Sequence, residues 1–231
     1  MVGVANGLAG GDVPLGVIPL GTGNVLARAL GIPLGLEEAA ELLAGDHDVA
    51  AIDALEVEGR FYFTNVSVGI SAGIIDGAST VDKKRFGYLA YVMALVRRSA
   101  VFQSHHYRLR LDGKTMPVRA TEILVSSGIL METADFLVGP AGSLSDGKLE
   151  VYVLRAHSLS HFMRLAWDLL IRLGKPARMI MHHSAERSVR IDHPRRPLMV
   201  QADGEVIGRT PVDIRLMPKA LLVIAPKPQE A

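Results

Sequence analysis

The sequence predicts an α/β segment followed by an all-β sandwich, and two observations support this division. Up to residue 49, apolar strand-like and helix-like stretches alternate around glycine turns, which is typical of α/β structure. From residue 50, many short strand-like stretches follow one another with tight turns between them, which favours two packed sheets. We therefore expect a partial α/β domain at residues 1–49 and a β-sandwich domain at residues 50–231.

The α/β segment is predicted from apolar stretches and the residues that stop them. Gly31 and Pro33 stop the helix predicted at residues 24–30, and Gly45 stops the one predicted at residues 36–43. The predicted elements are, in order, the tail of a helix at residues 5–8, a strand at 15–20, a helix at 24–30 and a helix at 36–43.

In the β region, Glu58-Gly59-Arg60 and Asp112-Gly113-Lys114 each predict a hairpin turn. Two amphipathic stretches, near residues 81–98 and 160–173, predict helices that interrupt the strands. The predicted strands are residues 50–57, 61–68, 107–111, 121–126, 149–154, 188–191, 198–202, 212–216 and 220–224.

Composition excludes several classes of function. The 25 basic and 24 acidic residues leave a formal net charge of +1, which gives no sign of a nucleic-acid partner. No apolar stretch approaches the ~20 residues that cross a bilayer, so we expect a protein that is not transmembrane. The sequence has no cysteine, which excludes disulfides and thiolate metal sites and fits a cytoplasmic protein.

The first candidate site is the glycine turn that follows the predicted strand at residues 15–20. Gly21 and Gly23 would let a phosphate or ribose approach the backbone closely, and Thr22 and Asn24 offer hydrogen-bonding side chains. Such a turn is equally compatible with a plain connection between a strand and a helix.

The second candidate is Asp203-Gly204-Glu205. An Asp-Gly pair between strands usually forms a hairpin turn. A carboxylate at the rim of a sheet can instead take a proton from a substrate hydroxyl, and Glu205 suits that role if it faces a cleft.

The third candidate lies in the stretch from Ser143 to Leu149. Asp146 could supply a carboxylate to a hard cation while neighbouring carbonyl groups complete the oxygen ligands that Mg²⁺ prefers. A plain Asp-Gly turn is the alternative interpretation.

These three stretches, in this order and spacing, resemble the bacterial diacylglycerol kinase-like lipid kinases. The resemblance covers nearly the whole chain, and each motif is modest, but six in register are specific. The matching residues are 14–24 (PLGVIPLGTGN), 27–33 (ARALGIP), 63–65 (FTN), 84–91 (KRFGYLAY), 145–149 (SDGKL) and 203–205 (DGE), followed by the strand at 220–226.

The resemblance implies an amino-terminal α/β nucleotide domain, also found in NAD kinases, and a larger β-sandwich domain, with ATP bound in the cleft between them. The implied reaction transfers the γ-phosphate of ATP to a lipid hydroxyl, such as that of diacylglycerol, with Mg²⁺ as the metal. The implied lipid substrate places the protein at a membrane surface, peripheral at the inner face. A homodimer is left open.

By position in the matching motifs, Glu205 resembles the family's general base, and Asp203 would shape the same corner. Gly21, Thr22, Gly23 and Asn24 match a nucleotide-contacting stretch. Asp146, with the carbonyl groups of Ser143 and Lys148, matches a structural Mg²⁺ site.

Two departures from the family pattern affect these expectations. Many relatives have an acid where this chain has Val25, so a contact that depends on that carboxylate is not expected here. The family's Gly-Gly-Asp-Gly-Thr phosphate loop would precede the helix that ends near Leu8, and the sequence begins inside that helix. We therefore expect an amino-terminally truncated kinase that is inactive as this chain.

Two other functions fit the residues. A fragment could bind lipid or a protein partner without catalysis, or the enzyme could phosphorylate NAD instead of a lipid. For the approach to a membrane, the basic residues and an apolar helix face are candidates, although a solvated helix end and ordinary core packing explain them as well. These candidates are Lys83, Lys84, Arg85, Arg97, Arg98 and Trp167.

Overall fold

A computed structural model describes residues 2–21, 24–72, 104–128, 145–156 and 179–227 of the chain. The two helices predicted near residues 81–98 and 160–173 lie outside these residues, as do the membrane-facing candidates. Among the described residues, no helix is long and apolar enough to cross a membrane.

The described chain contains three helices followed by twelve strands. The helices are α1 (Val2–Leu8), α2 (Val25–Ala29) and α3 (Leu36–Ala44). The strands are β1 (Asp48–Val57), β2 (Arg60–Tyr62), β3 (Asn65–Gly69), β4 (His105–Leu111), β5 (Lys114–Ala120), β6 (Glu122–Ser126), β7 (Leu149–Leu154), β8 (Ile180–Ala185), β9 (Ser188–Asp192), β10 (Met199–Ala202), β11 (Glu205–Arg209) and β12 (Val212–Ala225).

The strands form two six-stranded antiparallel sheets, which confirms the predicted sandwich. Sheet A has the order β2-β1-β12-β9-β4-β5, and sheet B has the order β11-β10-β3-β6-β7-β8. Alternate residues of both sheets point inward and form one hydrophobic core between them, in which Tyr107, Leu109, Ile123, Ile191 and Ile214 are almost fully buried.

A second hydrophobic cluster joins the amino-terminal elements to sheet A. It contains Leu15, Leu26 and Ala27 from the first segment together with Phe63 and Leu221 from the sandwich region. Leu15 also forms a parallel bridge with Val223 of β12. The first 49 residues therefore pack directly on the sandwich, and the domain boundary near residue 50 stays a prediction.

The predicted strand at residues 15–20 is wrong for most of its length, because among those residues only Leu15 is bridged to another strand. The two strands predicted at residues 212–216 and 220–224 are a single strand, β12. Its pairing with β1 shifts register between Ile52 and Ala54, and Lys219 takes a positive φ of 50° there. A bulge therefore replaces the predicted break.

Candidate functional site

Asp203 and Gly204 form the two-residue turn of the β10–β11 hairpin, as the sequence predicts. Both residues have positive φ, 47° and 86°, and Ala202 pairs with Glu205 across the turn. Two positive φ values are the requirement of a type I′ turn, which explains the Asp-Gly pair. The turn places Glu205 at the first position of β11, an outer strand of sheet B.

The carboxylate of Asp203 binds the segment that connects β2 to β3. It accepts hydrogen bonds from the backbone N–H groups of Phe63 and Thr64, both at 2.9 Å, and of Asn65 at 3.1 Å. The hydroxyl of Thr64 donates a fourth hydrogen bond, at 2.5 Å, and Asp203 N–H donates to the carbonyl oxygen of Asn65. Asp203 is thus committed to holding two loops together, which suits a residue that shapes the corner.

Glu205 lies beside this arrangement with its side chain exposed. Within the residues that the structure describes, its carboxylate makes no hydrogen bond or ion pair, so both oxygens can accept a proton. Tyr62 lies within electrostatic range: burial raises the pKa of its hydroxyl, Arg60 opposes that shift, and the charges of Asp203 and Glu205 reinforce it. Glu205 is therefore a carboxylate available to an incoming group.

The predicted nucleotide turn is held by the side chain of Asn24. Its Oδ1 accepts a hydrogen bond from Gly21 N–H at 2.9 Å, and its Nδ2 donates to the carbonyl oxygen of Pro19 at 3.1 Å. Asn24 itself is left-handed, with φ of 47°, a conformation that asparagine tolerates better than most residues. Thr22 and Gly23 lie outside the described residues, so a nucleotide contact by this turn stays a prediction.

The helix that follows this turn is connected to the Asp203 corner through apolar packing. Leu26 and Ala27 of α2 belong to the same cluster as Phe63, whose backbone N–H donates to Asp203. The structure thus brings two of the three predicted sites onto one cluster, although they are about 180 residues apart in the sequence.

The third predicted site is only partly described, because Ser143 lies outside the described residues. Asp146 is exposed, and its Oδ1 accepts a hydrogen bond from Lys148 N–H at 3.0 Å, while Oδ2 has no hydrogen-bond partner among the residues that the structure describes. One carboxylate oxygen with backbone carbonyl groups is a donor set that fits a hard cation. No group of three or more His, Asp or Glu side chains that could hold a metal occurs in the described ranges.

Asp53 is a site residue that the sequence reasoning missed. Its carboxylate is buried opposite the β12 bulge, where Oδ2 accepts from Gly147 N–H at 3.0 Å and Oδ1 accepts from Lys219 N–H at 2.8 Å. It therefore fixes both the Asp146 loop and the bulge of β12. An acid between Ile52 and Ala54, in the middle of the apolar run from Val49 to Leu55, is the signal that could have identified it.

Asn6 was also missed, and it attaches α1 to the same region. Its side chain accepts a hydrogen bond from Phe61 N–H at 2.8 Å and donates to Phe61 C=O at 2.7 Å. This pair of bonds continues the edge pairing of β2 and fixes the strand that leads into Phe63. An asparagine in a short apolar helix was the available signal.

Comparison with known proteins gives two family matches. Residues 64–225 match the model described as the YegS C-terminal NAD kinase beta sandwich-like domain, and residues 1–57 match the diacylglycerol kinase catalytic domain.

Curated relatives are similar over nearly the whole chain. An uncharacterised protein of Synechocystis sp. is 28% identical over 233 residues, which cover 97% of this chain and 52% of that protein. A diacylglycerol kinase of Mycobacterium tuberculosis is 26% identical over 226 residues, covering 95% of this chain and 72% of that protein. The chain thus spans about half the length of the first relative and less than three quarters of the second.

Two crystal structures of Bacillus anthracis proteins share the fold. One, of a diacylglycerol kinase, aligns with a TM-score of 0.66 and 23% identity over 91% of this chain and 68% of that one. Another aligns with a TM-score of 0.75 and 23% identity over 96% of this chain and 72% of that one. Because a family model matches more than half of the chain, this protein belongs to the diacylglycerol kinase-like family of lipid kinases, and its described fold is that of the family's β-sandwich.

Proposed function

We propose that this protein transfers the γ-phosphate of ATP to the hydroxyl of a lipid such as diacylglycerol, with Glu205 as the general base. The observation that carries the proposal is the exposed carboxylate of Glu205, which has no hydrogen-bond or ion-pair partner among the described residues. It lies beside a turn that Asp203 holds in place with its four hydrogen bonds. The family membership supplies the reaction class.

The reaction needs a proton acceptor, and it needs that acceptor to be held in a fixed position relative to the phosphate donor. Glu205 accepts the proton of the lipid hydroxyl while the hydroxyl oxygen forms a bond to the γ-phosphorus and the bond to the ADP oxygen breaks. Because phosphoryl transfer depends mainly on positioning, the loops that carry Glu205 must not move relative to the donor. The hydrogen bonds of Asp203 to residues 63–65 serve that purpose.

The glycine turn at residues 21–24 is the proposed contact for ATP. Gly21 and Asn24 shape the turn through their mutual hydrogen bond, and Thr22 and Gly23 complete it. The helix α2, which follows this turn, packs in the same hydrophobic cluster as Phe63, whose backbone N–H binds Asp203. This shared packing supports a fixed arrangement of the turn relative to the Asp203 corner.

The proposed Mg²⁺ site uses Asp146 Oδ2 with the carbonyl groups of Ser143 and Lys148. A Mg²⁺ ion bound there would neutralise the carboxylate and fix the loop, which Asp53 already holds through Gly147 N–H. This role is structural and separate from proton transfer at Glu205.

The acceptor places the enzyme at a lipid surface. A diacylglycerol is confined to the bilayer, so we propose that the enzyme reaches it by peripheral binding at the inner face of the cytoplasmic membrane. Lys83, Lys84 and Arg85 remain the proposed contacts to anionic headgroups.

A phosphorylation assay with the full-length protein tests this proposal. Radiolabelled ATP and Mg²⁺ would be combined with diacylglycerol in mixed micelles, with a sphingosine-like base, or with NAD as the acceptor. We expect label in the diacylglycerol fraction above that in the other two. Label in NAD without label in any lipid would contradict the proposal, as would lipid binding without any transfer.

A further inference from the structure

A row of buried polar side chains runs along the outer face of sheet B, away from the core between the sheets. Val66, Val68 and Ala202 point into that core, so their neighbours Ser67 and Gln201 point to the opposite face. Ser67, Gln201 and Glu122 are only 0%, 4% and 8% exposed, respectively. Buried polar groups of this kind are expected to be joined by hydrogen bonds.

Gln201 is the centre of this row, and its amide is fully used. Its Oε1 accepts a hydrogen bond from Gly204 N–H at 3.0 Å. Its Nε2 donates to Asn65 Oδ1 at 2.6 Å and to Ser67 Oγ at 2.7 Å. Because a backbone N–H can only donate, the contact to Gly204 fixes which end of the amide is oxygen. Gln201 thus connects the Asp203-Gly204 turn to two neighbouring side chains.

One branch from Gln201 ends on Glu122. Ser67 Oγ lies 2.5 Å from Ser71 Oγ, and Ser71 Oγ in turn donates to Glu122 Oε1. A hydroxyl has one hydrogen, so the donation from Gln201 to Ser67 directs the Ser67 hydrogen to Ser71 and the Ser71 hydrogen to Glu122. Ser71 N–H also donates to Glu122 Oε2, at 3.1 Å. The carboxylate is therefore the terminal acceptor of this branch.

The other branch ends on Asp203. Asn65 Oδ1 accepts from Gln201, and Asn65 Nδ2 donates to Thr64 Oγ1 at 3.2 Å. Thr64 Oγ1 donates to Asp203 Oδ1. The two amide hydrogens of Gln201 thus begin two chains that run in fixed directions to two carboxylates, one deep in sheet B and one in the turn that precedes Glu205.

The backbone around Glu122 is shaped for this carboxylate. Gly69 has φ of +136°, and a Cβ atom there would lie 2.7 Å from Glu122 Oε2 and closer still to the carbonyl oxygen of Thr121. Burial raises the pKa of Glu122, while the hydrogen bonds from the hydroxyl and backbone N–H of Ser71 lower it. Burying a carboxyl group costs free energy, and Gly69, Ser67 and Ser71 are all needed to accommodate this one. We therefore expect Glu122 to do more than fill space.

We propose that Gln201 and Glu122 are positioning residues for phosphoryl transfer, acting through the hydrogen-bond chain that connects them to the Gly204 N–H. The inference rests on the proposed role of Glu205. Gln201 fixes the Asp203–Gly204 peptide, one peptide before the Gly204–Glu205 bond, and Glu122, through Ser71 and Ser67, fixes the orientation of the Gln201 amide. A displacement of a reacting group by about 1 Å can reduce turnover about 100-fold, so a remote residue in such a chain can affect kcat.

Two variants test the chain, and a third is their matched control. Gln201→Met keeps the length of the side chain and removes all three hydrogen bonds, whereas Glu122→Gln keeps the shape and puts an amide NH₂ against a Ser71 donor. Thr121→Val is the control, because it removes a buried hydrogen bond, from Thr121 Oγ1 to Ala156 C=O at 2.5 Å, that adjoins Glu122 but lies outside the chain.

Steady-state kinetics of the full-length protein with ATP and diacylglycerol would be combined with hydrogen exchange at the Gly204 amide and thermal unfolding. We expect kcat to fall about 10- to 100-fold in Gln201→Met and about threefold to tenfold in Glu122→Gln, with both KM values within twofold of wild type. Gly204 should exchange faster in both variants. Thr121→Val should lose comparable thermal stability and keep kcat and the Gly204 exchange rate.

Wild-type kcat and Gly204 exchange in both variants would overturn the inference, and so would an equal fall of kcat in Thr121→Val. If Gln201→Met does not fold, Glu122→Gln and the exchange measurement decide alone. If the wild-type protein phosphorylates no lipid, the proposed function fails, and faster Gly204 exchange in Glu122→Gln would still show that Glu122 positions the turn.

Discussion

Asp203 and Asp112 bind neighbouring loops in the same way: each is the first residue of an Asp-Gly hairpin turn, has φ of 47°, and accepts hydrogen bonds from three consecutive backbone N–H groups. Asp203 binds residues 63–65, and Asp112 binds residues 186–188. Only the Asp203 turn leads into a candidate catalytic residue. Asp112 therefore provides an internal control for Asp203, because it makes the same kind of contacts in a turn that carries no candidate catalytic residue.

The first prediction compares Asp203→Asn with Asp112→Asn. An asparagine keeps one acceptor oxygen but puts NH₂ against backbone donors, so each variant should lose stability, by about 1–2 kcal/mol for Asp203. Urea unfolding monitored by circular dichroism measures this loss. Lipid phosphorylation should fall at least tenfold in Asp203→Asn and stay near wild type in Asp112→Asn. Equal lipid kinase activities in the two variants would show that the hydrogen bonds between Asp203 and residues 63–65 do not contribute to catalysis.

The second prediction concerns the pH dependence of stability through Asp112. Although burial opposes the shift, hydrogen bonds from the N–H groups of residues 186–188 hold the pKa of Asp112 below its ordinary value of 3.8. A lowered folded-state pKa means that the stabilisation is present above the unfolded-state pKa and is lost as pH falls towards the folded-state pKa.

The stability difference between wild type and Asp112→Asn should therefore be constant from pH 7 to about 5 and shrink below about pH 4. Urea unfolding at a series of pH values measures it. A difference that grows as the solution becomes more acidic would contradict the assigned hydrogen bonding.

The sequence predicts the elements whose signals are local. The hairpins at Glu58-Gly59 and Asp112-Gly113 follow from a glycine at the second turn position between strand-like stretches. The structure has both turns, with φ of 50° and 78° in the first and of 47° and 88° in the second. Three strands were not predicted. β5 contains Pro117 on an outer strand, β8 carries the polar run His182-His183-Ser184, and β11 contains Gly208, so each lacks the apolar alternation typical of a strand.

The arrangement of the candidate site is harder to predict from the sequence, because its contacts join residues that are far apart in the chain. Asp203 and Phe63 are joined by a hydrogen bond across 140 positions, and Asp53 and Lys219 by one across 166. Short motifs indicate which residues carry chemistry, but pairing between strands decides which of them meet. The alternation of apolar and polar residues in β3 could not reveal the buried hydrogen-bond chain through Ser67 either. A serine on the outer face of a strand is normally exposed to solvent.

The third prediction concerns Asp53, whose two carboxylate oxygens hold Gly147 N–H and Lys219 N–H. Asp53→Ala leaves both donors without this acceptor in a buried site and should cost about 2–4 kcal/mol. Thermal unfolding and chemical denaturation measure the loss. Asp146→Asn is the control, because Asp146 is exposed and should change stability by less than about 1 kcal/mol while altering the response to Mg²⁺. A cost below 1 kcal/mol for Asp53→Ala would contradict the assigned burial.

The fourth prediction concerns Gly69, which combines a positive φ with close neighbours. A Cβ there would lie 2.7 Å from Glu122 Oε2, so Gly69→Ala should cost about 3 kcal/mol or more and disturb the buried chain. Gly113→Ala is the matched control, since Gly113 has φ of +88° but open space around it, and should cost only about 1 kcal/mol. Differential scanning calorimetry measures the stability of both variants. An equal loss in the two would show that the positive φ of Gly69, and not its close neighbours, accounts for the whole cost.

The most direct test of the account is the Glu205→Gln variant of the full-length protein, assayed for ATP binding, lipid binding and transfer of labelled phosphate to diacylglycerol. The substitution preserves shape and removes the proton acceptor, so we predict unchanged binding and a fall in kcat of at least about 100-fold. Glu186→Gln, an exposed glutamate in the turn between β8 and β9, should retain wild-type kcat. Turnover in Glu205→Gln within threefold of wild type would contradict the assignment of Glu205 as the general base.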